Sequence, residues 1–182
     1  SSGATDAALI EQTLGDYFDA VAARLPAHEA LVSVHQQQRY TYGQLQRATH
    51  QLASALLGLG LQPGDRVGIW SHNCAQWLLT QLATAKVGLI LVNINPAYRT
   101  AELEYALNKV DCKALVTMPR FKSSDYLGML RELAPELATA PASALQAQRL
   151  PSLRHVVWLD EPGSADEPAL PSSMAPLSSL SA

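Results

Sequence analysis

The sequence places chemically versatile side chains close together at two points. Ser71, His72, Asn73 and Cys74 put a hydroxyl, an imidazole, an amide and a thiol into one tetrapeptide. Those are the groups of a Cys–His nucleophile and its base. Adjacent residues at a helix start point in different directions, and capping of the next helix by Ser71 or Asn73 accounts for the same residue types without catalysis. The capping reading is the preferred one. The second point is the loop INPAYR, where Asn95, Tyr98 and Arg99 follow the apolar run 89–93. Ligands bind in open α/β sheets at the carboxyl ends of parallel strands, which makes these three residues candidates for the rim of a site. The competing reading has Asn95 and Tyr98 bracing the loop and Arg99 as a solvated charge.

Several other chemistries have no sequence signature. The chain lacks a GxSxG nucleophile elbow and a GxxxxGK[ST] phosphate loop. Gly58, Gly60 and Gly64 follow a helical pattern and precede a strand, the reverse of a dinucleotide fingerprint. They read as helix-end and turn glycines. Cys74 and Cys112 stand in no CxxC pattern, and the five histidines form no HExxH pair. No metal site is therefore expected, and both thiols are expected to be reduced.

The totals agree. A chain of 182 residues, 48% hydrophobic and 16% charged, suits one globular domain or one domain plus a tail. A net charge of −3 with scattered lysines and arginines gives no footprint for nucleic acid. No run of 18 apolar residues is present, so no membrane-spanning helix is expected. The opening SSGATDAALI lacks the basic and apolar regions of a secretory signal.

The elements that would position the two candidate regions follow from hydrophobic period and punctuation. Residues 12–25 carry apolar side chains at helical spacing and stop at Pro26. Residues 30–35 and 39–42 read as a hairpin. Thr41, with Gln44 three residues on, closes a capping box for the next helix. Gln-Pro-Gly-Asp at 62–65 is a turn, and 66–70 is a strand apolar enough to be buried on both faces. A helix over 74–87 ends at Gly88, followed by a strand at 89–93. Thr100 caps a helix over 101–109, a strand follows at 113–117, a helix at 124–133, and a last strand at 155–159. This alternation predicts an α/β fold, a mostly parallel sheet with helices on both faces. Residues 1–11 read as an N-terminal tail, 12–160 as the α/β unit, and 161–182, with four prolines and six serines, as a linker toward a further domain.

Two long strings resemble one enzyme family. TYGQLQRATHQLASALLGLGLQPGDRVGIWSHN (41–73) and AKVGLILVNINPAYRTAELEYALNKVDCKALV (85–116) look like the opening of acyl-CoA ligases of the adenylate-forming superfamily. FKSSDY (121–126) and LQAQRLPSLRHVVWLDEP (145–162) extend the resemblance toward the medium-chain branch. It covers about 12–162 and implies the N-terminal subdomain of the AMP-binding domain.

The resemblance implies an enzyme that uses ATP to convert a medium- or long-chain carboxylic acid to an acyl-adenylate, then transfers the acyl group to CoA. ATP, Mg2+ and CoA are the implied cofactors, with a fatty acid as partner. The family's phosphate loop and catalytic residues lie beyond the matched strings, so no catalytic residue is assigned and the isolated chain is expected to be inactive. In some relatives, basic residues after the strand matching 113–117 approach the phosphates of CoA. Arg120 and Lys122 hold that position here, and solvated charges are the other reading of them. A non-catalytic α/β binding module, or an adenylation domain serving a carrier-protein thiol, are the alternative functions. The expected compartment is the cytoplasm, or the mitochondrial matrix if a transit peptide has been removed. Self-association through an uncovered strand edge is also expected.

Overall fold

The computed structural model describes residues 9–141, 145–159 and 174–180. Helix α1 spans Leu14–Arg24 and is capped by Thr13, whose Oγ1 accepts the Asp16 amide. Strands β1 (Glu29–Ser33) and β2 (Gln38–Thr41) form an antiparallel hairpin. Helix α2 (Tyr42–Gly58) begins with the expected capping box, in which Thr41 and Gln44 satisfy each other's backbone amides at 3.3 and 2.8 Å. Then follow β3 (Arg66–Trp70), α3 (Ala75–Lys86), β4 (Ile90–Asn93), α4 (Thr100–Lys109) and β5 (Cys112–Thr117). A two-residue hairpin, β6 (Arg120–Phe121) and β7 (Ser124–Asp125), leads into α5 (Tyr126–Leu133) and a 3-10 turn, Pro135–Ala138. Strands β8 (His155–Trp158) and β9 (Met174–Pro176) precede a single helical turn, α6 (Leu177–Leu180).

Five strands make one all-parallel sheet in the order β4-β3-β5-β8-β9. Counted along the chain, that order is 2-1-3-4-5. The chain steps from β3 outward to β4, then back across β3 to β5. Parallel crossovers are right-handed, so this reversal puts α3 and α4 on opposite faces. Helices α1 and α2 pack with α3, and α4 packs with α5. The expected fold class is what forms. The reversal also opens a crevice above the carboxyl ends of β3 and β5, the place where doubly wound sheets receive ligands.

The central strands are buried on both faces, which is why they read as continuous apolar runs. Val67, Ile69, Leu115, Val116, Val156 and Val157 are all buried, each contributing on the order of 1.5–3 kcal/mol. Gly68 has a packing reason. A Cβ there would come within 3.0 Å of Ile94 Cδ1 and 3.1 Å of Leu115 Cδ1. Gly88 has a conformational one, since it closes α3 at φ +71° beside Pro63, a backbone state that disfavours any Cβ.

Three expectations need correction. Helix α4 is capped at Arg99 rather than Thr100, with the Arg99 amide donating to the Glu102 carboxylate at 3.0 Å. A side chain at the third helical position reaches back more readily than Thr100 can cap from within the helix. Neither Ser71 nor Asn73 caps α3. Its N-cap is Cys74, which makes no side-chain capping bond, and the Ala75 amide donates instead to Gln36 Oε1 at 2.8 Å. Within the stretch read as a linker with at most one turn of helix, 174–176 add strand β9 to the sheet ahead of the single turn α6, because the apolar side chains of Met174 and Leu177 are buried against the core. The remainder of 160–182, and residues 1–8 of the tail, lie outside the described residues.

Candidate functional site

The crevice holds a cleft of about 440 Å³ lined by His35, Ser71, His72, Asn73, Trp77, Pro96 and Phe121. Each wall has an identifiable source. His35 comes from the β1–β2 turn, Ser71 to Asn73 from the loop after β3, Pro96 from the loop after β4, and Phe121 from β6. No lysine, arginine or carboxylate is among these residues. His72 is the hub. Its imidazole stacks on Phe121 with centroids 5.1 Å apart and planes within 10°, and it tilts against His35 at 5.6 Å. Its Nδ1 lies 3.1 Å from Met118 Sδ. Ser71 Oγ donates to the His72 carbonyl at 2.8 Å and stands 3.7 Å from Cys74 Sγ. The SHNC segment is therefore a wall-building turn, in which the imidazole presents a ring face and the Ser71 hydroxyl serves the backbone.

The Asn95–Arg99 loop rests on an aromatic pillar. Trp70 and Tyr126, both fully buried, stack at 3.7 Å with planes within 11°. Trp70 Nε1 donates to the Asn95 carbonyl at 3.1 Å, and the Tyr126 hydroxyl donates to the Pro96 carbonyl at 2.6 Å. Two consecutive carbonyls of the loop are thus held from beneath. Burial pushes the Tyr126 phenol up to about 12, partly countered by the positive charge of Arg99. Asn95 Oδ1 accepts the Ala97 amide at 2.9 Å, an Asx turn. The Asn95 side chain therefore braces the loop. Tyr98 is half-buried and Arg99 exposed.

Arg120 and Lys122 project from the β6–β7 hairpin and are both exposed. Arg120 pairs in register with Asp125. Lys122 sits at φ +53°, with Nζ 5.3 Å from the centre of the Phe121 ring. Phe121 and Pro96 line the same cleft, so Lys122 stands beside one wall of it, whereas Arg120, the strand neighbour of Phe121, is on the other face of the hairpin. Sequence reasoning missed His35, Trp77 and Phe121 as lining residues and Trp70 and Tyr126 as supports. Their only advance signal was aromatic character, at or near strand ends for all but Trp77, which lies in α3.

Away from this edge, the buried side chain of Lys86 makes an ion pair with the partly exposed Asp19. Asp19 also accepts from Gln46 Nε2 at 2.7 Å and stands 3.5 Å from His50. Burial alone would raise the Asp19 carboxyl, but the hydrogen bonds from Lys86 and Gln46, with the charges of Lys86 and His50, hold it below its ordinary value. This cluster joins α1, α2 and α3 and is structural.

With the geometry in place, comparison with known proteins gives the class. Residues 18–179 match the family described as AMP-binding enzyme, and the chain belongs to that family. It is 46% identical over 160 residues to the mitochondrial medium-chain acyl-CoA ligase of Homo sapiens, covering 88% of this chain and 26% of that protein. The Danio rerio counterpart is 42% identical over 158 residues, covering 86% of this chain and 26% of that protein. Among solved structures, the acetoacetyl-CoA synthetase of Streptomyces lividans superposes with a TM-score of 0.75 at 25% identity, over 93% of this chain and 25% of that one. The chain spans about a quarter of the length of the curated relatives it matches.

Proposed function

We propose that this chain is the N-terminal subdomain of a fatty-acid–CoA ligase acting on medium- or long-chain acids. In that reaction the carboxylate attacks the α-phosphorus of ATP and expels pyrophosphate. The CoA thiol then attacks the acyl carbon and expels AMP. The observation that carries the reading is the cleft at the sheet's reversal point, free of charged side chains within and with Lys122 beside its Phe121 wall, on a chain of the AMP-binding enzyme family. The names of the acyl-CoA ligases it resembles support the acid and the thiol.

In this reading the described residues position substrates rather than transform them. Arg120 and Lys122 attract the phosphates of CoA from the cleft's edge, as flexible exposed cations can. The pinned Asn95–Arg99 loop forms the rim through Pro96, with Tyr98 packed against the core behind it and Arg99 exposed beside it. Mg2+ would offset charge on the phosphates of ATP. Among the described residues no group of three His, Cys, Asp or Glu side chains is placed to hold a metal ion, so none is assigned to it. The relatives' mitochondrial location supports the matrix as the compartment. Exposed Val34, Ile90 and Tyr105 support self-association of the isolated chain.

The test is ATP–pyrophosphate exchange. Full-length protein should exchange label in the presence of octanoate or palmitate, and the isolated chain should not. Robust acid-dependent exchange by the chain alone would show that the catalytic groups lie within it.

A further inference from the structure

The cleft's outermost wall belongs to a two-stranded sheet that shares no strand pairing with the five-stranded one. The β1–β2 turn nevertheless sits against α3, and one side chain makes the connection. Gln36 Oε1 accepts both the Ser33 hydroxyl at 2.7 Å and the Ala75 amide at 2.8 Å. Gln36 Nε2 donates to Gln76 Oε1 at 2.8 Å. The orientation of the amide is not arbitrary, because a backbone N–H can only donate and so requires the oxygen. Gln36 thereby supplies the cap that Cys74, the N-cap residue of α3, does not. Three cleft residues depend on this arrangement. His35 precedes Gln36 in the turn, Asn73 is two residues before Ala75, and Trp77 is two residues after it.

We infer that Gln36 is a positioning residue, a clasp that caps α3 from the hairpin and sets the width of the substrate cleft between His35 and the 71–77 segment. It touches no reacting atom. Its role in catalysis rests on the proposed ligase function, whereas its role in holding the wall does not.

Two measurements separate those layers. In full-length protein, Gln36→Ala should speed hydrogen exchange at the Ala75 amide by about 2- to 30-fold, the range expected when a helix cap is lost. Amides of β3 and β5 should be unchanged. Gln36→Glu keeps an acceptor for Ser33 and Ala75 and places a negative charge at a helix start, which is favourable. It should restore protection. In the ligase assay, Gln36→Ala should raise KM for the acid or for CoA by about 2- to 10-fold with kcat nearly unchanged, and Gln36→Glu should return KM toward the parent value. Unchanged Ala75 exchange in Gln36→Ala overturns the clasp, as does an increase spread evenly over the core. Faster Ala75 exchange with an unchanged KM overturns its role in the cleft. If the parent protein shows no acid-dependent turnover, the ligase reading fails while the exchange data still decide the clasp.

Discussion

The Asn95–Arg99 loop and the Arg120–Asp125 hairpin leave the same edge of the sheet and flank the same cleft, yet different chemistry holds them. The first has two successive carbonyls fixed by the buried indole of Trp70 and the buried phenol of Tyr126. The second consists of two paired residues on each side, exposed cations, and a lysine in the left-handed region. One is a platform whose position is set by the core. The other carries charge on side chains free to follow a ligand. On the proposed ligase reading, a site that must first admit and then grip a polyanion would gain from both, shape from the platform and attraction from the hairpin.

The sharpest way to break this contrast is to remove the pillar. Trp70→Ala deletes a fully buried ring, its stack on Tyr126 and the donor to Asn95. It should cost about 3–5 kcal/mol, read as a fall in the urea midpoint. A cost under 1 kcal/mol would mean that the platform is not anchored in the core. Tyr126→Phe is gentler. It keeps the stack and leaves the Pro96 carbonyl without its donor, for a loss of about 1–2 kcal/mol.

That variant also has a pH signature. The Tyr126 phenol is raised by burial from 10 to about 12, so the folded state keeps a proton that the unfolded chain releases. The stability this contributes is complete below pH 10 and is lost as pH rises toward 12, on the order of 2 kcal/mol. Burial likewise raises the Cys112 thiol from 9.0 to about 11, which gives a loss beginning one unit lower. Denaturation midpoints between pH 8.5 and 12 should therefore fall in two overlapping stages in the parent. Tyr126→Phe should remove the upper stage and Cys112→Ala the lower. A single stage unaffected by either substitution would contradict the burial of both groups.

Much of the scaffold is legible in the sequence, because it is written in local patterns. The Thr41–Gln44 capping box, the turn at 62–65 and the apolar runs of β3 and β5 each lie within a few residues of sequence. The alternation also put Asn95, Tyr98 and Arg99 in a loop at a strand end, whereas Arg120 and Lys122 were singled out only through the family resemblance. What could not be read were contacts closed over long separations. Gln36 meets Ala75 across 39 residues, and Tyr126 meets Pro96 across 30. No period or spacing announces such pairs, since they depend on strand order. Ser71 and Asn73 were sensible caps by type, and were displaced by a side chain that the β1–β2 turn carries in from outside the helix. Strand β9 was hidden by a composition rich in proline and serine, which describes the stretch around Met174 better than Met174 itself.

The hairpin side of the comparison is tested by charge. Replacing Arg120 and Lys122 together by alanine should leave stability within about 0.5 kcal/mol, as surface substitutions do. KM for CoA should rise several-fold, with the increase shrinking at high salt. A fall in the urea midpoint comparable to that of Trp70→Ala would show that the hairpin is as much a platform as the loop opposite.

The smallest expected effect separates backbone from charge at a single position. Lys122 adopts φ +53°, where a Cβ costs roughly 1 kcal/mol. Lys122→Gly relieves that cost but gives the unfolded chain more freedom, a loss of similar size, so the net change should lie within about 0.5 kcal/mol of zero. Lys122→Ala keeps the strain and loses the same ammonium group. If Lys122 acts through its charge, the two variants should raise KM for CoA equally despite their different backbones. If the left-handed turn itself is what matters, by aiming Phe121 into the cleft beside His72, Gly and Ala should part company. Glycine would then loosen the hairpin and raise KM more than alanine does, and the hairpin would have to be regarded as a second platform built from backbone geometry.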